Sequence, residues 1–156
     1  MNLHGMPNAE TPENVVANDD FYPELNVNEL GDGFGVTSGY GTNVETILVQ
    51  LRLAMVFVNK ELATYQVTNW GSYSTLEDVP SELVDGSTHL ELLYKEAVYS
   101  LTKAKLLLSR LSETNRDKKT AQQQQANDNE DHWRKQCYAA IRQMMNQSTT
   151  LTVNLL

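Results

Sequence analysis

Cysteine occurs once, at Cys137, so no disulfide can close within the chain, and a reducing compartment or indifference to redox fits. Lysine and arginine are missing from the first 40 residues, where Glu10, Glu13, Asp19, Asp20, Glu24, Glu29 and Asp32 give −7 of the chain's formal −8. An acidic balance excludes indiscriminate attraction to nucleic acid or anionic lipid. No apolar run approaches membrane-spanning length, and the opening MNLHGMPNAETPEN has neither a basic start nor an apolar stretch. A soluble protein without a secretory leader is therefore expected. Chemistry-bearing patterns are equally scarce. His4, His89 and His132 share no ligand spacing, and His132 and Cys137 would point to different helix faces. There is no cysteine pair, zinc-protease helix, nucleophile elbow, phosphate loop or EF-hand pattern. Cys137 falls on an apolar stripe and reads as core rather than nucleophile. Glu77/Asp78 and Asp128/Glu130/Asp131 read as caps and loop charges. The expectation is no enzyme, with no catalytic residue, no metal ligand and no cofactor.

The chain has enough apolar residues, 40% by composition, for one modest core in its 156 residues. The stretch from Thr42 to Gly71 predicts one long amphipathic helix. Thr42 and Glu45 have the spacing of a capping box. Val44, Ile47, Leu48, Leu51, Met55, Val58, Leu62 and Tyr65 follow at steps of three and four, and Gly71 supplies a left-handed stop. A helix of that length suits packing against other long helices. Ser72–Gly86 is a connector, in which Thr75 and Asp78 can start a single turn, Pro80 ends it and Asp85-Gly86 makes a turn. Ser87 or Thr88 caps a second helix with Leu90, Leu93, Tyr94, Ala97, Val98, Leu101, Ala104, Leu108 and Leu111 on one face. The third helical region carries Trp133, Cys137, Ala140, Ile141 and Met144 on one stripe. The glutamines Gln122 to Gln125 before it are either a linker or the solvated first half of that helix.

The two ends read differently. Residues 1–40 show no helical or strand period and predict an extended acidic arm. Within it, Phe21-Tyr22-Pro23-Glu24-Leu25 forms an aromatic anchor: Phe21, Tyr22, Pro23 and Leu25 either fill a partner's groove or fold back onto the chain's own helices. Gly31 to Gly41, with five glycines, reads as a hinge. In the tail 148–156, Leu151, Val153 and Leu155 alternate with polar residues, which is strand periodicity. Those three side chains predict a strand added to a partner, or else a frayed terminus. The fold expected is all-α: about three long helices (about 42–70, 88–112 and 118–147) forming a core over 41–147, with an extended N-terminal arm and a strand-forming C-terminal tail.

Several short segments together resemble a known family. Phe21-Tyr22-Pro23-Glu24-Leu25, Leu76-Glu77-Asp78-Val79-Pro80, Val84-Asp85-Gly86, Leu93-Tyr94-Lys95-Glu96-Ala97-Val98, Asp117-Lys118-Lys119, Trp133-Arg134 and a short apolar terminus are similar to the head completion, or head stabilisation, proteins of contractile-tailed phages. The glycine-rich stretch 31–41 stands where that family would have a more basic, helix-like approach, and the glutamine run is longer than the family's. The resemblance implies an all-helical virion adaptor, forming a ring of twelve copies at the neck. Its partners would be the portal protein and a tail terminator or tail-proximal neck protein, with packaged double-stranded DNA in the channel, contacted without sequence specificity, and no membrane. It would retain the DNA and offer the tail a docking site after assembly in the bacterial host cytoplasm. The other reading is a helical assembly chaperone or adaptor that leaves before the particle is finished.

Overall fold

The computed structural model describes residues 14–36, 43–111 and 119–146. Four α-helices dominate it: α1 (Val27–Phe34), α2 (Val44–Asn69), α3 (His89–Leu111) and α4 (Lys119–Met144). Two small antiparallel pairs accompany them, β1 (Val15–Val16) with β2 (Leu25–Asn26) and β3 (Leu83–Val84) with β4 (Ser87–Thr88). Helix α3 is the centre. It packs against α4 most extensively, against α2 next, and against α1. Tyr94, Ala97, Val98, Tyr99, Leu101, Ala104 and Leu106 are all buried along it. A helix covered from several sides also buries polar residues, and these find local partners: the Thr102 hydroxyl donates to the Val98 carbonyl at 2.8 Å. Leu108, expected on the buried face, is exposed, and Leu106 takes the inward position.

The ends of these helices follow from their capping residues. Helix α2 begins one residue later than expected: Asn43 is the N-cap, its side chain accepting from the Thr46 amide at 2.9 Å. The side chain of Asn43 supplies the cap assigned to Thr42. Val44 is exposed, whereas Ile47, Leu48, Leu51, Met55, Val58 and Leu62 are buried as expected and Ala54 joins them. Thr88 and Glu91 make a reciprocal capping box on α3, the Thr88 hydroxyl accepting from the Glu91 amide at 3.1 Å and a Glu91 carboxylate oxygen from the Thr88 amide at 3.1 Å. Asp85 and Gly86 both have positive φ, 53° and 83°, the geometry of a two-residue hairpin turn between β3 and β4. Leu76–Asp78 forms the expected single turn, of 3₁₀ type. Gln122 to Gln125 lie within the one continuous helix α4.

Gly71 does not stop α2 by turning left-handed. Trp70 is the C-cap, with φ −118° and ψ 9°. Gly71 serves by lacking a side chain: a Cβ there would lie 2.8 Å from the Val67 carbonyl oxygen. Because the obstacle is backbone, Gly71→Ala must move the chain, and a strain cost of roughly 1–2 kcal/mol should lower Tm by about 5 °C. A melt at the wild-type temperature would show that this turn yields freely.

The largest difference from expectation lies in residues 14–36. Val15 pairs with Asn26 and Val16 with Leu25, closing a loop over residues 17–24. Gly31 and Gly33, assigned to a hinge, are inside helix α1. Two glycines disfavour a helix by roughly 1 kcal/mol each. The helix forms because its ends and one face are held: Asn26 caps it by accepting from the Asn28 amide, Gly35 takes a left-handed φ of 70° and donates to the Leu30 carbonyl, and Leu30 is fully buried. The remainder of the glycine-rich stretch, 37–42, lies outside the described residues.

Candidate functional site

The loop between β1 and β2 is held by a ring of three side chains from three elements. Asn59 of α2 donates to the Asn18 side-chain oxygen at 2.9 Å, Asn18 donates to the Tyr94 hydroxyl at 2.8 Å, and Tyr94 of α3 donates back to the Asn59 oxygen at 2.5 Å. The second Asn18 proton reaches the Pro23 carbonyl at 2.8 Å. The Asp19 carboxylate accepts from the amides of Phe21 and Tyr22, both at 2.9 Å, which turns the chain so that both rings enter the core. The Tyr22 ring stacks on Tyr94 with centroids 4.8 Å apart, and Phe21 stacks on Trp70 at 6.1 Å. Trp70 in turn meets Tyr65 edge-on at 5.1 Å. Five rings therefore run from the end of α2 through the loop to α3. The Phe21 carbonyl accepts from the Leu76 amide at 2.9 Å and ties the loop to the 3₁₀ turn. Burial raises the ionisation of Tyr22 and Tyr94 well above the ordinary phenol range.

Helix α1 is clamped to α3 and α4 by a second set of contacts. Glu29 accepts from the Tyr99 hydroxyl and pairs with Lys95 at 3.3 Å. Tyr99 also accepts from the Asn26 amide at 3.1 Å, at the start of α1. At the other end Lys103 donates to the Phe34 carbonyl at 2.6 Å while its ammonium lies 4.5 Å from the Trp133 ring centre. A cation at a helix C-terminus and over an indole is favoured twice. Phe34 completes the cluster, 5.5 Å from Tyr99 and 5.7 Å from Trp133. Burial lowers the Lys103 ionisation.

These arrangements hold surfaces in place. Cys137 is fully buried and its thiol is pushed up to about 12 by that burial, as a core residue should be. Of the anticipated partner-binding residues, Phe21, Tyr22 and Leu25 are buried in the chain's own core and Pro23 is half-buried. The arm is thus folded over 14–36 rather than extended, because its aromatics find a seat on α2 and α3. Leu151, Val153 and Leu155 lie outside the described residues. No helix among the described residues is long and apolar enough to cross a membrane.

A family model described as Phage head completion protein (GPL) matches residues 16–156. The chain belongs to the phage head completion protein family. It is accordingly a structural component of the phage head. No curated protein and no solved structure matches the chain significantly. In this head completion protein the matched span opens at Val16, in β1, so it takes in the closed loop and α1 as well as the long helices.

Two features escaped the sequence reading. One is the pair Asn18 and Asn59, which look like ordinary polar residues until the fold sets them beside Tyr94. The other is a second apolar stripe on α2. Val49, Leu53, Val56 and Val67 are 47%, 49%, 63% and 77% exposed. They stand at steps of four, three and eleven, so the signal was available: α2 is apolar on two faces, and only the buried one was traced.

Proposed function

We propose that this head completion protein forms the connector ring between portal and tail, holding packaged DNA in the head and giving the tail its docking site. The observation that carries the reading is the family match, which spans residues 16–156. Three further features support it. Helices of 26, 23 and 26 residues suit the wall of a ring. An outward apolar stripe on α2 suits a subunit with neighbours. A chain of net charge −8 suits a channel through which DNA must pass without sticking. In this reading the tail residues Leu151, Val153 and Leu155 add a strand to a neighbouring component, twelve copies match the portal, and the protein resides at the virion neck after assembly in the host cytoplasm.

The test is binding to isolated portal rings. Purified protein should cosediment with them at micromolar concentration in a fixed ratio, and mass spectrometry should find it in finished particles. Free protein in the supernatant at those concentrations would count against a connector, and absence from finished particles would favour an assembly chaperone.

A further inference from the structure

We infer that the outward stripe of α2 seats in the groove between α1 and α3 of the next copy of this chain, joining subunits head to tail. This rests on the ring reading above and names the surfaces that would close the ring. Val49, Leu53, Val56, Lys60 and Val67 fall within about 60° of one another at 100° per residue, opposite the buried face of α2. Lys60 stands within this ridge and Arg52 borders it, and neither has an acidic partner among the described residues. Asp19 lies across a hollow from Arg52 without pairing to it, and Glu45 stands at the start of the ridge. Among the described residues the ridge is therefore apolar, with two cations that no ion pair neutralises and Glu45 at one end.

A surface of the opposite kind exists elsewhere on the same chain. Between α1 and α3 runs an open groove of about 400 Å³, lined by Phe34, Leu92 and Tyr99 and by Glu29, Asp32, Lys95 and Glu96. Lys95 is matched by Glu29, which leaves Asp32 and Glu96 as the net charge. Leu92 is 39% exposed, so the groove is apolar where it is not acidic. Apolar ridge with two cations and apolar groove with two anions are complementary in both respects.

The two surfaces cannot meet within one chain. Tyr94 faces α2 through its bond to Asn59. Leu92, Glu96, Tyr99 and Lys103 lie on the arc of α3 roughly opposite Tyr94, by the same 100° step. The groove is thus turned away from α2, and the ridge is turned away from α3. Two complementary patches on opposite sides make a heterologous contact, which propagates and closes into a ring if the rotation allows. A two-fold dimer would need both patches on one side.

Charge reversal tests the pairing on the full-length protein. Arg52→Glu with Lys60→Glu makes the ridge acidic, and Asp32→Lys with Glu96→Lys makes the groove basic. Each double variant alone should self-associate roughly 30-fold or more weakly than wild type by sedimentation, since like charges then face each other. Mixed one to one, the two variants should recover assembly with the copies alternating, because each acidic surface again meets a basic one. Helical circular dichroism and Tm, unchanged from wild type, establish that the variants fold. Wild-type association by either variant alone, or no recovery on mixing, overturns the proposal, as does a wild-type protein that stays monomeric in solution. Sedimentation of the same variants with portal rings keeps the two readings apart. Portal binding with unaltered self-association would sink the ridge-and-groove contact and leave the connector standing. If the α2 stripe instead takes a portal or tail segment or the chain's own residues 1–13, reversal at α2 changes portal binding or Tm and mixing restores nothing.

Discussion

Tyr94→Ala is expected to remove most of the protein's stability at 25 °C. Tyr94 is fully buried, stacked on Tyr22 and bonded to both Asn18 and Asn59. Removing a large buried side chain costs about 3–5 kcal/mol. Stranding two asparagine side chains beside the cavity adds roughly 1–3 kcal/mol. Against the 5–15 kcal/mol or so that a domain has in total, that is most of the margin. Tyr94→Phe separates the two contributions. It keeps the ring and removes only the hydroxyl, so it should cost about 1–3 kcal/mol and leave a cooperative urea transition at a lower midpoint. Circular dichroism across a urea series measures both. A Tyr94→Ala protein that unfolds within 1 kcal/mol of wild type, on the order of a surface change, would mean that the loop is not seated on α3.

Deleting residues 1–26 should abolish cooperative unfolding altogether. The arm was expected to be an extended appendage, and an appendage can be cut off without loss of stability. In the structure Val16, Phe21, Tyr22 and Leu25 belong to the same core as α2 and α3. Burying four such side chains is worth roughly 6–12 kcal/mol as an upper bound. The truncated chain would also expose Trp70 and Tyr94 and lose the cap on α1 supplied by Asn26. Thermal melting by circular dichroism should show a broad, sloping loss of helix, with binding of a hydrophobic dye before heating. A sharp transition near the wild-type Tm would return the arm to the status of an accessory segment.

The long helices were legible because their signals are local. The stripe from Ile47 to Leu62, the capping residue Thr88, the turn at Asp85-Gly86 and the stripe from Trp133 to Met144 each lie within a few turns of chain. Helix α1 was not, although its marks are there. Val27, Leu30 and Phe34 stand at steps of three and four, Asn26 precedes them and Gly35 follows. Gly31 and Gly33 outweighed that pattern, since an isolated helix of eight residues with two glycines would not form in water. What offsets the glycines comes from Lys95, Tyr99 and Lys103, some 70 residues away. The same holds for the loop: the seats of Phe21 and Tyr22 are Trp70 and Tyr94, and spacing along the chain says nothing about them. The alternative in which the aromatics fold back onto the chain's own helices is the one the structure bears out. The second stripe on α2 was missed for a different reason. Buried and exposed valines read alike until a core decides which face it takes.

The ring of Asn18, Asn59 and Tyr94 has a bearing on how the molecule is made. Residues 14–26 leave the ribosome before any of the residues they rest on. One residue they contact, Tyr99, is translated more than 70 residues later. Until Trp70 and Tyr94 have been made, Phe21 and Tyr22 have no seat, so this segment must wait for residues translated well after it. Helical proteins as a class fold quickly because their contacts are short-range, and here the slow step should be the docking of this early segment. During that interval the nascent chain carries a greasy, acidic segment, and its negative charge is what would keep neighbouring nascent chains from clumping.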